Sequence, residues 1–463
     1  MTTKAAQHTA ASGRLKIHVA ERGVRTLHGS VRCEIGNDVH FSTEGLESYF
    51  FARWEPIAYD ALLLAAAVEF ADVTKSRTAN VWARDLDLRI PVHDPDWWSQ
   101  PRVSDAIHDV LSFLTGDRWN IQFYLRKTPA PPAQQRVLAL SPGVKAVIPF
   151  SNGLDSRVVA GLIARKIGDG LVRVRLGSIA NDGEALSRDR HPFTVVPYNV
   201  RAKKSRRESS ARSRGFKFAL ISGIAAYLAN AEQIIVPESG QGSLGPMLVT
   251  VGQSYPDYRS HPLFTRRMEK FLHALLDRHL EYKFPQLWRT KGETLRQFVA
   301  ESGDQSWSST WSCWQLNRHV GVDHKKRQCG VCAACMLRRM SIHAAGLSEP
   351  ADRYVWEDLA ASNFAAGAAP SFDKKKITGR LREHAIAGTL HLDHLAGLLK
   401  SKANSHALNL AAFQLGRTLG VTETDARAKL NRLLQQHTYE WESFVRSLGK
   451  KSFVAQWAVS VQQ

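Results

Sequence analysis

Between residues 144 and 237 the chain alternates short apolar runs with stretches of helical period. Residues 144–150 (VKAVIPF) are too few for a helix and are closed by turn residues, which reads as a buried strand. From Ser156 onward Val158, Val159, Leu162, Ile163 and Ile167 fall on one helical face. Residues 171–176 and 193–198 read as further strands, 216–231 as a helix and 233–237 as a fourth strand. Parallel strands need a crossover between them, usually a helix. The pattern predicts an α/β unit with a parallel sheet and helices on both faces.

The flanks read differently. Residues 1–13 are polar and Ala-rich and should fray. Residues 15–20 and 31–41 read as strands, 59–70 as a buried helix, 81–90 as a strand, 103–114 as a helix and 119–125 as a strand. In the 81–90 stretch Trp82, Leu86, Leu88 and Ile90 share a face that Arg84 alone interrupts. This predicts an N-terminal α+β domain without a chemical motif, followed by a Pro-rich linker at 128–135 (TPAPPAQQ). After residue 288 the chain is polar, Trp-dotted and Cys-bearing, and 355–463 reads as helical throughout. The expected units are 1–140, 141–300, 301–350 and 351–463. No run of 18 apolar residues occurs and residues 1–13 carry no apolar leader, so a cytoplasmic protein without membrane contact is expected. The net charge of +19 attracts polyanions such as nucleotides, nucleic acid or an acidic partner, although solubility alone would also use it.

The residues Ser151-Asn152-Gly153-Leu154-Asp155-Ser156 lie between a strand and a helix. Such a loop exposes backbone N–H groups next to the positive end of a helix, which suits phosphate. Gly153 permits close backbone approach, Ser151 and Ser156 offer hydroxyls, and Asp155 is placed to hold Mg²⁺ beside phosphates. An ordinary turn capped by Ser156 or Asp155 would use the same residues.

Four of the five cysteines fall between Cys313 and Cys335. Cys329, Cys332 and Cys335 have C-x₂-C-x₂-C spacing and wrap one ion from a tight turn, with Cys313 completing a tetrahedron. In a reducing compartment such a cluster points to metal rather than disulfides. Zinc is the expected ion; the spacing also fits an iron–sulfur cluster. His319 and His324 lie in the same stretch as substitute ligands, and Cys33 reads as a plain thiol.

The loop resembles the pyrophosphate loop of N-type ATP pyrophosphatases, usually SGGLDS, with Asn152 at the second position. Together with the cysteines it resembles the 7-cyano-7-deazaguanine synthase family, QueC. Further stretches are similar to that family: Arg212-Ser-Arg214 before an apolar helix, Tyr255-Pro-Asp257-Tyr-Arg259, Leu287-Trp-Arg-Thr290-Lys291-Gly-Glu293, and Thr310-Trp-Ser-Cys313. The likeness covers roughly 144–346, and fifteen residues separate Cys313 from the triplet, a longer loop than the family has. Long chains of this kind look like the QueC-like components of bacterial anti-phage systems, especially the QatC type.

The resemblance implies a PP-loop domain of the adenine-nucleotide alpha-hydrolase kind, with a zinc lobe, that adenylates 7-carboxy-7-deazaguanine with ATP and Mg²⁺ and passes the acyl group to an amine. It places Ser151, Asn152, Gly153, Leu154, Asp155, Ser156 and Arg214 on ATP. It places Tyr255, Asp257, Arg259 and Lys291 on substrate, with Asp155, Ser156 and Lys291 catalytic. A protein amine from a partner encoded nearby, or ammonia in biosynthesis, would be the acceptor. A tRNA-modifying ATP pyrophosphatase and a non-catalytic scaffold binding nucleic acid or a partner share some of these features, though no RNA module is visible. Gly240-Gln-Gly242-Ser-Leu-Gly245 fits G-x-G-x-x-G but lacks the opening helix and the acid about 20 residues on, so a substrate-facing loop is expected there. The basic stretch 201–217 reads as a solvated loop or a lid over phosphates, and Trp307, Trp311 and Trp314 as core near the metal or as a base platform.

Overall fold

A computed structural model describes residues 14–42, 55–77, 82–129, 143–177, 193–196, 198–202, 211–250, 255–314 and 321–458. Residues 1–13, most of the 128–135 linker, residues 203–210 of the basic stretch, and His319 lie outside the described residues.

The N-terminal unit contains strands β1 (Leu15–Ala20), β2 (Val31–Glu34), β3 (Val39–Phe41), β4 (Asp85–Val92) and β5 (Arg118–Leu125), with helices α1 (Pro56–Thr74) and α2 (Pro101–Thr115). Four strands form a sheet of order β2-β1-β4-β5 in which every pairing is parallel. The unit is thus α/β, a correction to the α+β expectation: helical crossovers between short strands were masked by the weak period of α1. That helix is apolar nearly all round, with Ala58 to Val68 buried without a break, so it must be covered on every side. It packs on β4 and on helix α4 of the next unit. The expected strand at 31–41 is broken by a turn at Gly36 (φ 86°), and β3 leaves the sheet to pair antiparallel with β9 (Tyr198–Val200). One apolar core therefore runs from Ile17 to Tyr282 through both units.

Arg84, the break in the apolar face, precedes β4 and is buried. Its guanidinium lies 2.5 Å from Asp72 Oδ1 and 2.6 Å from Asp117 Oδ2, and the other Asp72 oxygen accepts the Ser213 N–H at 2.8 Å. This buried pairing ties the N-terminal unit to the segment that opens α4.

The central sheet comprises β6 (Ala146–Pro149), β7 (Leu171–Leu176), β8 (Phe193–Val196), β10 (Gln233–Ile235) and β11 (Glu281–Lys283). Its order is β11-β10-β6-β7-β8, all parallel. Helices α3 (Leu154–Ile167), α4 (Arg214–Leu228), α5 (Pro262–Leu276) and α6 (Lys291–Ser302) accompany it. Alternate residues of β6 serve opposite faces: Ala146 and Ile148 pack with Val159 of α3, Val147 with the core that holds Leu220 and Ile224 of α4. Helices thus cover both faces, as expected. The chain leaves β6 toward β7 and later returns to its other side as β10. The crevice between the carboxyl ends of β6 and β10 is the topological switch point, where open α/β sheets bind ligands.

Beyond lie α7 (Ala333–Ala344), α8 (Gly379–Gly397), α9 (Ser405–Leu419) and α10 (Glu423–Leu448). The expectation of helix throughout 355–463 is corrected: regular helix begins only at Gly379, and the preceding stretch holds bends, an isolated bridge and a single 3₁₀ turn. The four clustered cysteines share a core with Trp356, Leu381, Leu392, Trp441 and Phe444, so the lobe packs directly on the C-terminal helices. Among the described residues no helix is long and apolar enough to cross a membrane.

Candidate active site and metal centre

The loop after β6 leads straight into α3. Gly153 is the N-cap, in extended conformation, and no side chain caps the helix. The expected capping by Asp155 or Ser156 is therefore corrected, because both side chains are engaged elsewhere. Ser156 Oγ lies 2.9 Å from Ser151 Oγ, which also accepts the Gly153 N–H at 3.1 Å. Leu154 sends its side chain into the core, leaving its backbone at the helix start. Asn152 Oδ1 accepts from Arg175 at 3.1 Å and its carbonyl accepts the Trp311 N–H at 2.6 Å. The side chain that replaces the usual glycine thus braces the loop on β7, and the backbone braces it on the cysteine lobe.

Asp155 reaches Lys291, with Oδ2 2.5 Å from Nζ. Lys291 is the first residue of α6, behind a Thr290–Glu293 capping box, and is buried. A cation at a helix N-terminus opposes the macrodipole, so its burial there needs a counter-anion, which Asp155 supplies. Since Asp155 stands in the first turn of α3, two helix N-termini converge on one point. Phosphate entering there meets two positive dipole ends, uncapped N–H groups and one ammonium.

Glu238, just past β10, completes the crevice from the other side. Burial pushes its carboxyl up to about 8, the Asp155 carboxylate acts in the same direction, and Lys291 and Arg259 oppose. A Cβ on Gly242 would stand 2.3 Å from Glu238 Oε2, so the glycine leaves that carboxylate its room. Sequence reading missed Glu238; its position directly after a strand at the switch point was the available signal.

Asp257 and Arg259 pair with each other: Asp257 Oδ2 accepts from Arg259 Nε at 2.6 Å. Arg214 opens α4, and Arg259, Asp257 and Glu238 are among the charges acting on it. Tyr255 stands apart, since its hydroxyl donates to the Phe113 carbonyl at 2.6 Å and its ring lies by Trp82 and Arg212 in the N-terminal unit. The three tryptophans separate as well. Trp307 is core, Trp311 anchors Asn152, and Trp314 is 52% exposed with its ring 5.9 Å from Arg259. The structure therefore gathers Ser151 to Ser156, Lys291, Arg259, Asp257, Arg214 and Glu238 around one crevice, and leaves Tyr255 outside.

The sulfurs of Cys313, Cys329, Cys332 and Cys335 all lie within 4.8 Å of one another. Tetrahedral zinc with bonds of about 2.3 Å separates its sulfurs by about 3.8 Å, and Cys329 and Cys335 stand 3.8 Å apart. Backbone N–H groups of Cys329 and Cys332 point at the Cys313 and Cys329 sulfurs at 3.2 and 3.3 Å. Gly330 (φ 89°) makes the tight turn between them. Four buried thiols with aimed N–H donors fit a closed Cys₄ zinc site. His324 does not join the cluster.

A family model described as queuosine biosynthesis protein QueC matches residues 244–346. No curated protein matches the chain. The matched span holds Asp257, Arg259, Lys291 and all four clustered cysteines, and stops short of the loop at 151–156. This part of the chain is QueC-like, which supports an ATP-using enzyme of deazapurine-type chemistry.

Proposed function

We propose that this protein adenylates 7-carboxy-7-deazaguanine or a close analogue and transfers the acyl group to an amine. A carboxylate is a poor acyl donor because its leaving group would be oxide. Attack of that carboxylate on the α-phosphorus of ATP expels pyrophosphate and forms a mixed anhydride. The amine then attacks the carbonyl, AMP leaves, and the amine proton is lost to solvent or to a crevice carboxylate. Most of the catalysis in such chemistry is positioning and charge stabilisation. The uncapped N-terminus of α3 with Ser151 and Ser156 would receive pyrophosphate, and Lys291 would exchange Asp155 for phosphate oxygens. Arg214 and Arg259 would meet remaining phosphate or carboxylate charge, Asp257 the base edge, and Trp314 a ring face. Asp155 and Glu238 would hold Mg²⁺, which supplies charge neutralisation at the phosphates. The Cys₄ zinc is structural, because four thiolates leave no open position.

The convergence of two helix N-termini on the Asp155–Lys291 pair carries this reading. For the acceptor we favour a protein amine, as in a QatC-type anti-phage system, because more than 200 residues flank the central unit and a chain terminus must be held within about 3–3.5 Å of the activated carbonyl. Residues 1–140 and 355–463 would contribute that surface. Intact masses of neighbouring gene products after incubation with enzyme, ATP and the deazaguanine acid test the acceptor. Mass gain on one of them supports the protein amine; free amide or nitrile formed only with ammonia makes the chain a biosynthetic synthase. ATP–pyrophosphate exchange dependent on the acid tests the activation step, and its absence would leave a non-catalytic scaffold.

A further inference from the structure

We propose that helix α10 is a positioning element for Lys291, acting through Gln241. The inference rests on the reading of Lys291 as the phosphate-facing cation. The Lys291 N–H donates to Gln241 Oε1 at 2.8 Å. Gln241 Nε2 lies 2.8 Å from His437 Nδ1, and His437 Nε2 lies 2.9 Å from the Leu392 carbonyl. Every polarity in this chain is forced. A carbonyl only accepts, so Nε2 of the ring carries the hydrogen and Nδ1 of the neutral imidazole must accept. The Gln241 amide therefore turns its NH₂ to His437 and its oxygen to the Lys291 amide, which only donates.

A second strut runs alongside. Glu440, one turn beyond His437 on α10, accepts from Thr290 Oγ1 at 2.5 Å, and Thr290 is the N-cap of α6. Arg432, on the same helix, pairs with Glu293 of the capping box. Gln241, Thr290, Lys291, His437 and Glu440 are all buried. Burying that many polar groups costs free energy unless each is satisfied, and apolar side chains would fill the volume more cheaply. What the polar set adds is a fixed direction for the first turn of α6 and hence for the lysine it carries.

The same arrangement accounts for the glycine-rich stretch at 240–245. It forms two short helical turns, Gly240–Ser243 and Gly245–Leu248. A Cβ on Gly240 would meet the Leu287 carbonyl at 2.2 Å. The glycine lets the turn press against the segment leading into α6, which brings Gln241 within reach of Lys291.

The test uses the full chain in ATP–pyrophosphate exchange with 7-carboxy-7-deazaguanine as the probe. A misplacement of about 1 Å costs about 100-fold in rate. Gln241→Leu and His437→Leu are therefore expected to lower the rate at saturating ATP by about 10- to 100-fold, with a smaller change in the KM for ATP. His437→Gln, whose amide again offers one acceptor and one donor, should restore most of it. Leu64→Ala, a buried α1 position in the core of the N-terminal unit, should lower thermal stability and leave the rate. Should Gln241→Leu not fold, the contrast between His437→Leu and His437→Gln decides. Full rates in Gln241→Leu and His437→Leu beside an inactive Lys291→Ala overturn the positioning role and spare the site. Rate losses that merely follow thermal stability, Leu64→Ala included, also overturn it. An active Lys291→Ala removes the reading and the inference together.

Discussion

Gly161 sits on α3 where the helix crosses α6, and an added methyl there probes the geometry of the whole site. Its Cβ would stand 2.3 Å from Phe298 Cε2, 3.1 Å from Cδ2 and 3.3 Å from Cζ. Phe298 is fully buried among Leu154, Val158, Leu162, Leu295, Trp307 and Ile342. Its ring also lines a cavity with Gly161, Ala164 and Ser302, so the clash is shared between ring rotation and helix displacement. Carbon atoms in contact settle at about 3.5–4.0 Å. Gly161→Ala therefore drives α3 and α6 apart by up to about 1.2 Å. Those two helices carry Asp155 and Lys291, now 2.5 Å apart at their charged atoms. Overpacking costs about 1–3 kcal/mol, and alanine returns about 1 kcal/mol over glycine within a helix. The net loss of stability is then about 0–2 kcal/mol, while the full displacement would cost about 100-fold in rate. Thermal unfolding should shift by a few degrees at most, and acid-dependent ATP–pyrophosphate exchange should fall, by up to about two orders of magnitude. An alanine variant with full exchange would refute the claim that the spacing of these helices sets the site.

Purified protein should carry about one zinc per chain, and Cys332→Ser should lose metal and solubility together, because structural zinc energy is folding energy; metal analysis near zero for the unaltered chain contradicts the Cys₄ assignment. Arg84→Leu leaves Asp72 and Asp117 buried with half their counter-charge, so denaturant unfolding should show a loss of about 3–5 kcal/mol, and an unchanged midpoint rejects the buried pairing as a tie between the units. Glu238 has a folded pKa of about 8, above its ordinary value, so the native chain holds a proton that the unfolded chain releases. Its contribution to stability is present below the ordinary carboxylate range and lost as pH rises through about 8. Thermal midpoints should therefore fall on raising pH from about 6 to about 9 more steeply for the parent than for Glu238→Gln; equal slopes would place that carboxyl in solvent.

The alternation of apolar runs with helical stretches was enough to read the central parallel sheet, because strands buried on both faces become continuous apolar runs. The cysteine spacing likewise revealed the cluster of four thiols, since a tight-turn chelate is written in local sequence. Long-range pairing left no such mark. Arg84 looked like a flaw in a strand face until Asp72 and Asp117 arrived from helix and loop to meet it. The period of α1 is blurred because the helix is covered all round, which hid the parallel nature of the first sheet. Asp155 was expected to serve the helix start or a metal, and only the approach of α6 shows that it holds Lys291. Tyr255 sits in a sequence segment that also holds Asp257 and Arg259, yet its side chain turns to Phe113; proximity in sequence does not fix direction in space. Glu238 and Gln241 share one segment, but the groups they face, Asp155, Lys291 and His437, come from distant ones, so no local pattern could join them.

ATP–pyrophosphate exchange with 7-carboxy-7-deazaguanine, run on the parent chain and on Asp155→Ala, Ser156→Ala and Lys291→Ala, tests the central claim most directly. No side-chain cap is lost in the Asp155 or Ser156 variants, so Ser156→Ala should unfold like the parent, whereas Asp155→Ala, which leaves buried Lys291 without its counter-anion, should melt lower yet remain folded. Exchange that depends on the acid in the parent and disappears in all three folded variants is the predicted result. Exchange that persists in those variants, or a parent chain that exchanges nothing with the acid present, contradicts the assignment of this crevice as the site of adenylation.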